Sequence, residues 1–421
     1  MLVSRRFLEA GCGCPELWHT ASCGPSSVNG MSSVLAWVAA HKQHVRRFSL
    51  RQGASMQPAE LLPFWGLVTC TFVLASPTLI SLDVLLMADL EVSAWVAPLT
   101  NLRWLSATAR HITVTASVGA LKQLTTLQLN TLKAENANDD TIVFAPNSIP
   151  VGLQALVLEE MVLSELPPAI TRAAASLTRL RLDVNYSEEF ALPGPKPGSI
   201  RGLGPLGALT ALEVLEVQRS DLASIPEDIS ALTRLAQVCL SWGFQSHRLI
   251  DMHLLGRLPG LVLLNLQYCQ LATLGDCMSN MRALCTLVVS GNPGIEFPSI
   301  GPWLAQLVQL DLDLESATRN LGPLLSMLSL EELCIGGSRP RQPLSAPSVV
   351  AFLRALARLP RLASLLLRTD GQQQLTRSVE LVAELAEFLR SRPGVKLSKS
   401  ALPSLGSPFG PHFLTWDQAD E

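Results

Sequence analysis

Along this chain the aliphatic side chains return in a six-residue phrase, apolar-x-x-apolar-x-apolar, whose last two apolar positions alternate as the inward residues of a strand do. It stands at Leu124-Thr-Thr-Leu127-Gln-Leu129, Leu153-Gln-Ala-Leu156-Val-Leu158, Leu177-Thr-Arg-Leu180-Arg-Leu182 and Leu212-Glu-Val-Leu215-Glu-Val217. Leu235, Leu261, Leu284, Leu307, Leu330 and Leu362 open further copies, and weaker ones open at Val45, Leu79 and Leu102. The steps from Leu212 to Leu330 are 23, 26, 23, 23 and 23 residues. A fixed period of this size predicts one short strand and one return turn per unit.

No single unit of that length can bury its own leucines, so each must stack on its neighbours and share one continuous interior. The fuller units LEVLEVQRSDLASIPEDISALTRL from Leu212 and LVLLNLQYCQLATL from Leu261 resemble leucine-rich repeats. The small polar residue that closes the repeat turn stands at Cys269 and, more loosely, at Asn292; Ser220 is a substitute, whereas Met161 and Leu132 are not. The resemblance implies an α/β leucine-rich-repeat solenoid: a curved horseshoe with a parallel sheet on its concave side and short turns and helices on its convex side.

The expected organisation is an N-terminal segment over 1–30, a solenoid of about 12–14 coils over 31–400 and a flexible tail over 401–421. The stretches Glu135 to Asp140 and Leu192 to Ser199 read as loops inserted between coils. Helical return segments are predicted after Ser33, Ser348 and Ser378, each serine being a candidate N-cap before apolar residues at helical spacing. From Leu61 to Leu82 the chain runs without a charge. That is long enough to span a bilayer, but flanking Lys and Arg anchors are missing, and the expectation is two buried strands broken at Pro63 and Pro77.

The start of the chain carries Val3-Ser4-Arg5-Arg6-Phe7 and, further on, Pro15-Glu16-Leu17-Trp18. These residues resemble the second half of an F-box, in which a helix bearing V-S-R-R-F precedes P-E-L-W; the intervening GCGC makes the spacing longer than usual. The first half of the motif, which makes most of the contact with the adaptor of SCF ubiquitin ligases, is not in this sequence. The resemblance implies that adaptor as a partner of a form in which the F-box is complete. The other reading of the same residues is an amphipathic cap on the solenoid end.

Composition narrows the chemistry. With 32 Lys and Arg against 35 Asp and Glu, and no basic cluster, a nucleic-acid partner is not expected. Nine scattered cysteines without a paired spacing point to reduced thiols and a cytoplasmic protein, with the nucleus or the cytoskeleton and ciliary axoneme as alternatives. Cys12, Cys14, Cys23 and His19 lack zinc spacing. Gly202-Leu-Gly204-Pro-Leu-Gly207 fits the dinucleotide fingerprint letter by letter, but it follows a loop and Pro205 removes a phosphate-facing N–H. No catalytic motif, cofactor or metal site is expected, and the reading is of a non-enzyme.

Function is therefore expected on the concave face or the ascending edge, with a target protein as partner. The edge candidates are Arg219, Trp242 and Tyr268, each the eighth residue of its coil counting its first leucine as one. The face candidates are Arg179, Arg181, Asp311 and Asp313, with Asp183, Glu216 and Glu332 beside them. The expected function is target recognition for an SCF-type ubiquitin ligase, the alternative a non-ligase intracellular scaffold in signalling or the cytoskeleton.

Overall fold

The computed structural model describes residues 20–24, 27–52, 58–132, 141–161, 163, 165–184, 203–220, 222, 225–241, 252–336, 345–368 and 379–400. The F-box-like residues Val3, Arg5, Arg6, Phe7, Pro15, Glu16, Leu17 and Trp18, the inserted loops, Trp242 and the tail beyond residue 400 lie outside them. The chain divides into two compact units, Met1–Leu222 with Pro226–Leu235, and Ala223–Ile225 with Ala236–Glu421.

The first unit runs β1 (Thr20–Cys23), α1 (Val28–His41), β2 (Arg47–Arg51), α2 (Pro58–Ala75), β3 (Ser81–Leu85), β4 (Leu90–Val92), β5 (Trp104–Ala109), β6 (Ile112–Val114), α3 (Ala116–Gly119), β7 (Thr126–Thr131), β8 (Ile142–Phe144), β9 (Ala155–Met161), β10 (Arg179–Val184) and β11 (Val214–Gln218). Strands β1, β2, β3, β5, β7, β9, β10 and β11 pair in that order, all parallel. Each of these from β2 on begins two residues after the first apolar position of its phrase, the weak copies at Val45, Leu79 and Leu102 included. Register then puts Phe48, Leu82, Leu105, Leu127, Leu156, Leu180 and Leu215 in one ladder, and all are buried. Burying a leucine contributes about 1.5–3 kcal/mol, so seven such rungs together contribute roughly 10–20 kcal/mol.

The second unit runs β12 (Gln237–Ser241), β13 (Leu263–Asn265), β14 (Thr286–Val288), α4 (Pro302–Gln306), β15 (Gln309–Leu312), α5 (Leu314–Arg319), α6 (Leu321–Leu325), β16 (Glu332–Ile335), α7 (Ala346–Leu356), β17 (Ser364–Arg368), α8 (Val379–Ser391) and β18 (Lys396–Ser400). Its strands are again parallel and sequential, and Val238, Leu264, Leu287, Leu310, Leu333, Leu365 and Leu397 share one register line. Both units are α/β leucine-rich-repeat coils. Their returns are short 3-10 turns, such as Pro168–Ala173 and Glu227–Ala231, or the helices named above.

The polar closure of the turns is present where its residues stand. The Asn292 amide oxygen accepts from Leu271 N–H at 2.9 Å, and its amide nitrogen donates to the Leu266 and Val289 carbonyls at 2.8 Å each. The Cys269 thiol donates to the Leu240 carbonyl, and Asn320 repeats the asparagine arrangement on Phe297 N–H and the Ile295 and Ser316 carbonyls. In the first unit a second, three-stranded parallel sheet of β4, β6 and β8, which the sequence reading did not anticipate, replaces simple turns.

Three expectations about the return segments are corrected. Residues 61–82 are not two strands: α2 runs through Pro63 to Ala75, and only from Ser81 is the chain a strand. Phe64, Val68, Phe72 and Ala75 turn inward at helical spacing, with Phe72 edge-on to Phe48 and tilted against Trp95. The uniform apolarity of the segment hid that period. Among the described residues no helix is long and apolar enough to cross a membrane. The cap of α1 is Ser27, whose hydroxyl accepts from Gly30 N–H, and the cap of α7 is Ser345, which accepts from Ser348 N–H; Ser33 and Ser348 lie inside the helices they were expected to start.

Candidate protein-binding surface

Side chains alternate along a strand, so the residues between the buried ladder positions of the first unit face away from its core in register rows. One row reads Gln128, Val157, Arg181 and Glu216; the next reads Asn130, Glu159, Asp183 and Gln218. Across β9, β10 and β11 these rows assemble a charged network. Arg181 stands 3.4 Å from Glu159, 3.6 Å from Asp183 and 3.7 Å from Glu216. Arg219, one residue past β11, reaches back over two strands: its Nε donates to Asp183 at 2.6 Å and its Nη2 to Glu160 at 2.7 Å.

Backbone geometry sets up that reach. Arg219 and Glu160 both hold positive φ, +54° in each case, where the strand gives way to the turn. That conformation costs a non-glycine residue free energy, and here it turns both side chains toward Asp183. Burial alone would pull the Arg219 guanidinium down; the hydrogen bond and charge of Asp183, then those of Glu160, outweigh burial and raise it above its usual value. Glu216 behaves in the opposite sense: burial pushes its carboxyl up, against the lowering effect of Arg181. Arg179, at the start of β10, is exposed.

In the second unit Asp311 and Asp313 are not presented outward, whereas Glu332, at the start of β16, is exposed. Asp311 is 0% exposed and Asp313 is also buried. The Arg368 guanidinium, on β17, pairs with the Asp311 carboxylate on β15 and its Nη1 approaches the Ser290 hydroxyl at 3.4 Å. Arg368 can lie flat across β16 because residue 336 is glycine: a Cβ there would sit 2.5 Å from the Arg368 Cβ. Asp313 is held differently, both of its oxygens accepting from Gly291 N–H at 3.1 and 3.0 Å. The expectation of an acidic exposed face here is thus corrected, because a long arginine two strands away folds over it. The sequence signal that could have found Arg368 is its place at the outward end of a strand, opposite the glycine that follows the neighbouring strand.

Tyr268 is half-buried, with positive φ, and its ring packs on Gly291, where an added Cβ would lie 2.4 Å from the ring. Part of its surface is therefore committed to local packing. The G-x-G-x-x-G string forms a turn at Gly204 and a short 3-10 helix over Leu206–Ala208. Gly207 N–H donates to the Asp228 carboxylate at 2.9 Å, so a negative side chain occupies the amide a phosphate would need. No group of three or more His, Cys, Asp or Glu among the described residues is placed to hold a metal ion. Cys23, the one described member of the cysteine and histidine set near the start, is buried, and burial pushes its thiol up to about 12.

No family model and no curated protein matches the chain. Among solved structures it is similar to a leucine-rich-repeat protein of Leptospira interrogans, at 16% identity and a TM-score of 0.49, over 93% of this chain and 98% of that one. It is similar to an internalin, inlF, of Listeria monocytogenes, at 16% identity and a TM-score of 0.47, over 92% and 88%. It is also similar to the plant peptide hormone receptor RGFR1 in complex with RGF2, at 14% identity and a TM-score of 0.41. That match covers 86% of this chain and 53% of the receptor.

Proposed function

We propose that the chain is a protein-binding repeat protein that holds a target on the outward face of its parallel sheet, with no chemistry of its own. The observation that supports this reading most is the register of the first unit, which sets outward side chains side by side on β7, β9, β10 and β11 over a rigid leucine ladder. Rigid rows of this kind lose little conformational entropy on binding, which is what makes a flat protein contact affordable. The finer reading is that the bound target is delivered to an SCF-type ubiquitin ligase in the cytoplasm, and it rests on Val3-Ser4-Arg5-Arg6-Phe7 and Pro15-Glu16-Leu17-Trp18.

Two measurements test these readings separately. A photo-crosslinking residue placed at Gln128 or Gln218, on the outward face, is expected to capture a protein in cell extract that the same residue at Glu331, in the other unit, does not capture; equal capture from both places would refute the face as the docking surface. The ligase reading expects association of the chain, extended through a complete F-box, with the SCF adaptor. Loss of that association on replacing Leu17 and Trp18 by Ala supports it, and no association of the intact form removes it.

A further inference from the structure

The charged network of the first unit is unevenly paired. Arg219 makes two short hydrogen bonds, at 2.6 and 2.7 Å. The three carboxylates around Arg181 stand 3.4 to 3.7 Å away, beyond hydrogen-bond length, and Arg181 Nε is buried without a hydrogen-bond partner among the described residues. The Glu216 side chain is 9% exposed. Its Oε2 meets Arg181 at 3.7 Å and the Gln218 amide at 3.5 Å, while its Oε1 takes no hydrogen bond among the described residues. Glu159, Glu160, Asp183 and Glu216 together carry four negative charges against two on Arg181 and Arg219, and exposed Arg179 offsets one more.

Resting on the protein-binding reading, we propose that this part of the face docks an extended basic segment of the partner, a Lys or Arg side chain of which enters between Glu159 and Glu216 and completes the pairing of the Glu216 carboxylate. An anionic group drawn to Arg181 would instead meet three carboxylates within 4 Å of the same guanidinium, and like-charge contact of that kind is strongly unfavourable in a partly desolvated site. Glu159 and Glu216 lie on strands flanking β10 and two register positions apart, roughly 12 Å between Cα atoms at about 4.8 Å per strand and about 3.3 Å per residue, close to the roughly 13 Å between residues i and i+4 of an extended segment.

The test is fluorescence anisotropy of the full chain with a labelled extended peptide of alternating Lys and Thr, and a matching peptide of Glu and Thr, at low and at physiological ionic strength. Glu159→Gln with Glu216→Gln is expected to weaken the Lys peptide by about tenfold or more at low salt, while Arg181→Gln is expected to tighten it several-fold and Glu331→Gln to leave it unchanged. A purely structural role for the network predicts the reverse for Arg181→Gln, because removing a buried pairing partner loosens the face. The same affinity in wild type and in the double glutamine variant, weaker binding by Arg181→Gln, or equal binding of the Glu peptide would each overturn the inference. Continued crosslinking from Gln128 and Gln218 in that event leaves the protein-binding reading standing, whereas loss of both removes both.

Discussion

The Arg368–Asp311 pair of the second unit is buried, and it should show itself when one partner is removed. Asp311 is 0% exposed and Arg368 is 6% exposed, so replacing the arginine by methionine, which keeps the stem that packs on Gly336, strands a carboxylate away from water. Breaking a buried pair from one side costs about 3–5 kcal/mol, whereas replacing both members by apolar residues is often neutral or stabilising. For a unit of this size that corresponds to a fall in thermal midpoint of at least about 6 °C for Arg368→Met, with little change or a gain for Asp311→Leu combined with Arg368→Met. The pH dependence gives a second handle. Burial, set against the lowering effect of Arg368, raises the Asp311 carboxyl from 3.8 to about 6. A group that holds its proton more tightly in the folded state stabilises the fold fully below its unfolded value and loses that contribution as pH rises through its folded value. The difference, 6 minus 3.8 at about 1.4 kcal/mol per pH unit, is about 3 kcal/mol lost between roughly pH 4 and pH 6 and above. Arg368→Met should extend the loss to higher pH, because the lowering influence is gone, and the double variant should flatten it. Circular-dichroism melts across pH 4 to 8, with amide exchange of the β15 and β17 segments to assign the change to this unit, measure all three. An Arg368→Met protein as stable as wild type at neutral pH, or a double variant that keeps the wild-type pH slope, would refute the reasoning.

Two further outcomes follow from the geometry. Asn292→Ala strips partners from Leu271 N–H and from the Leu266 and Val289 carbonyls at once, so a loss of about 3 kcal/mol in denaturant unfolding is expected; a loss under about 1 kcal/mol would mean that water replaces the side chain. Arg219→Gly relieves the positive-φ strain but releases Asp183 and Glu160, and Arg219→Ala keeps the strain as well, so the alanine variant should be the less stable of the two by about 1 kcal/mol in the same assay.

The leucine ladder was legible because its period is enforced by packing: Leu127, Leu156, Leu180 and Leu215 must align or the coils cannot share an interior. Even the weak phrases at Val45, Leu79 and Leu102 took their places, since position counts for more than residue type on a strand of five or six residues. The segment from Leu61 to Leu82 was not legible for the complementary reason. Where no residue is charged and most are apolar, neither a period of two nor one of 3.6 stands out, and its helix is fixed by what it covers, Phe48 and Trp95, which are distant in sequence. The small sheet of β4, β6 and β8 escaped notice likewise, because three-residue strands are too short to display alternation.

The charged face exposes a limit of a different kind. Strand alternation assigns Arg181, Glu216 and Asp311 to the same outward side, yet Glu216 is nearly covered in a loose cluster and Asp311 is fully covered by one tight pair. What separates them is the length of the neighbouring side chains and the room above the adjacent strand. Arg368 spans from β17 to β15 because Gly336, just past β16, leaves room for its stem, and on the way it meets Cys334 of β16, which stands opposite Asp311, whereas Arg181 sits among carboxylates on its own and adjacent strands and is shared among three of them. Both clusters leave buried atoms without a hydrogen bond among the described residues, Asp311 Oδ1 and Arg368 Nε in one and Arg181 Nε in the other, but only Arg368 has one close acid, while Arg181 is divided among three at longer range. On that ground the docking of a basic segment proposed above falls on the β9–β11 face of the first unit, and not on the acidic run around Asp311 that the linear sequence favours.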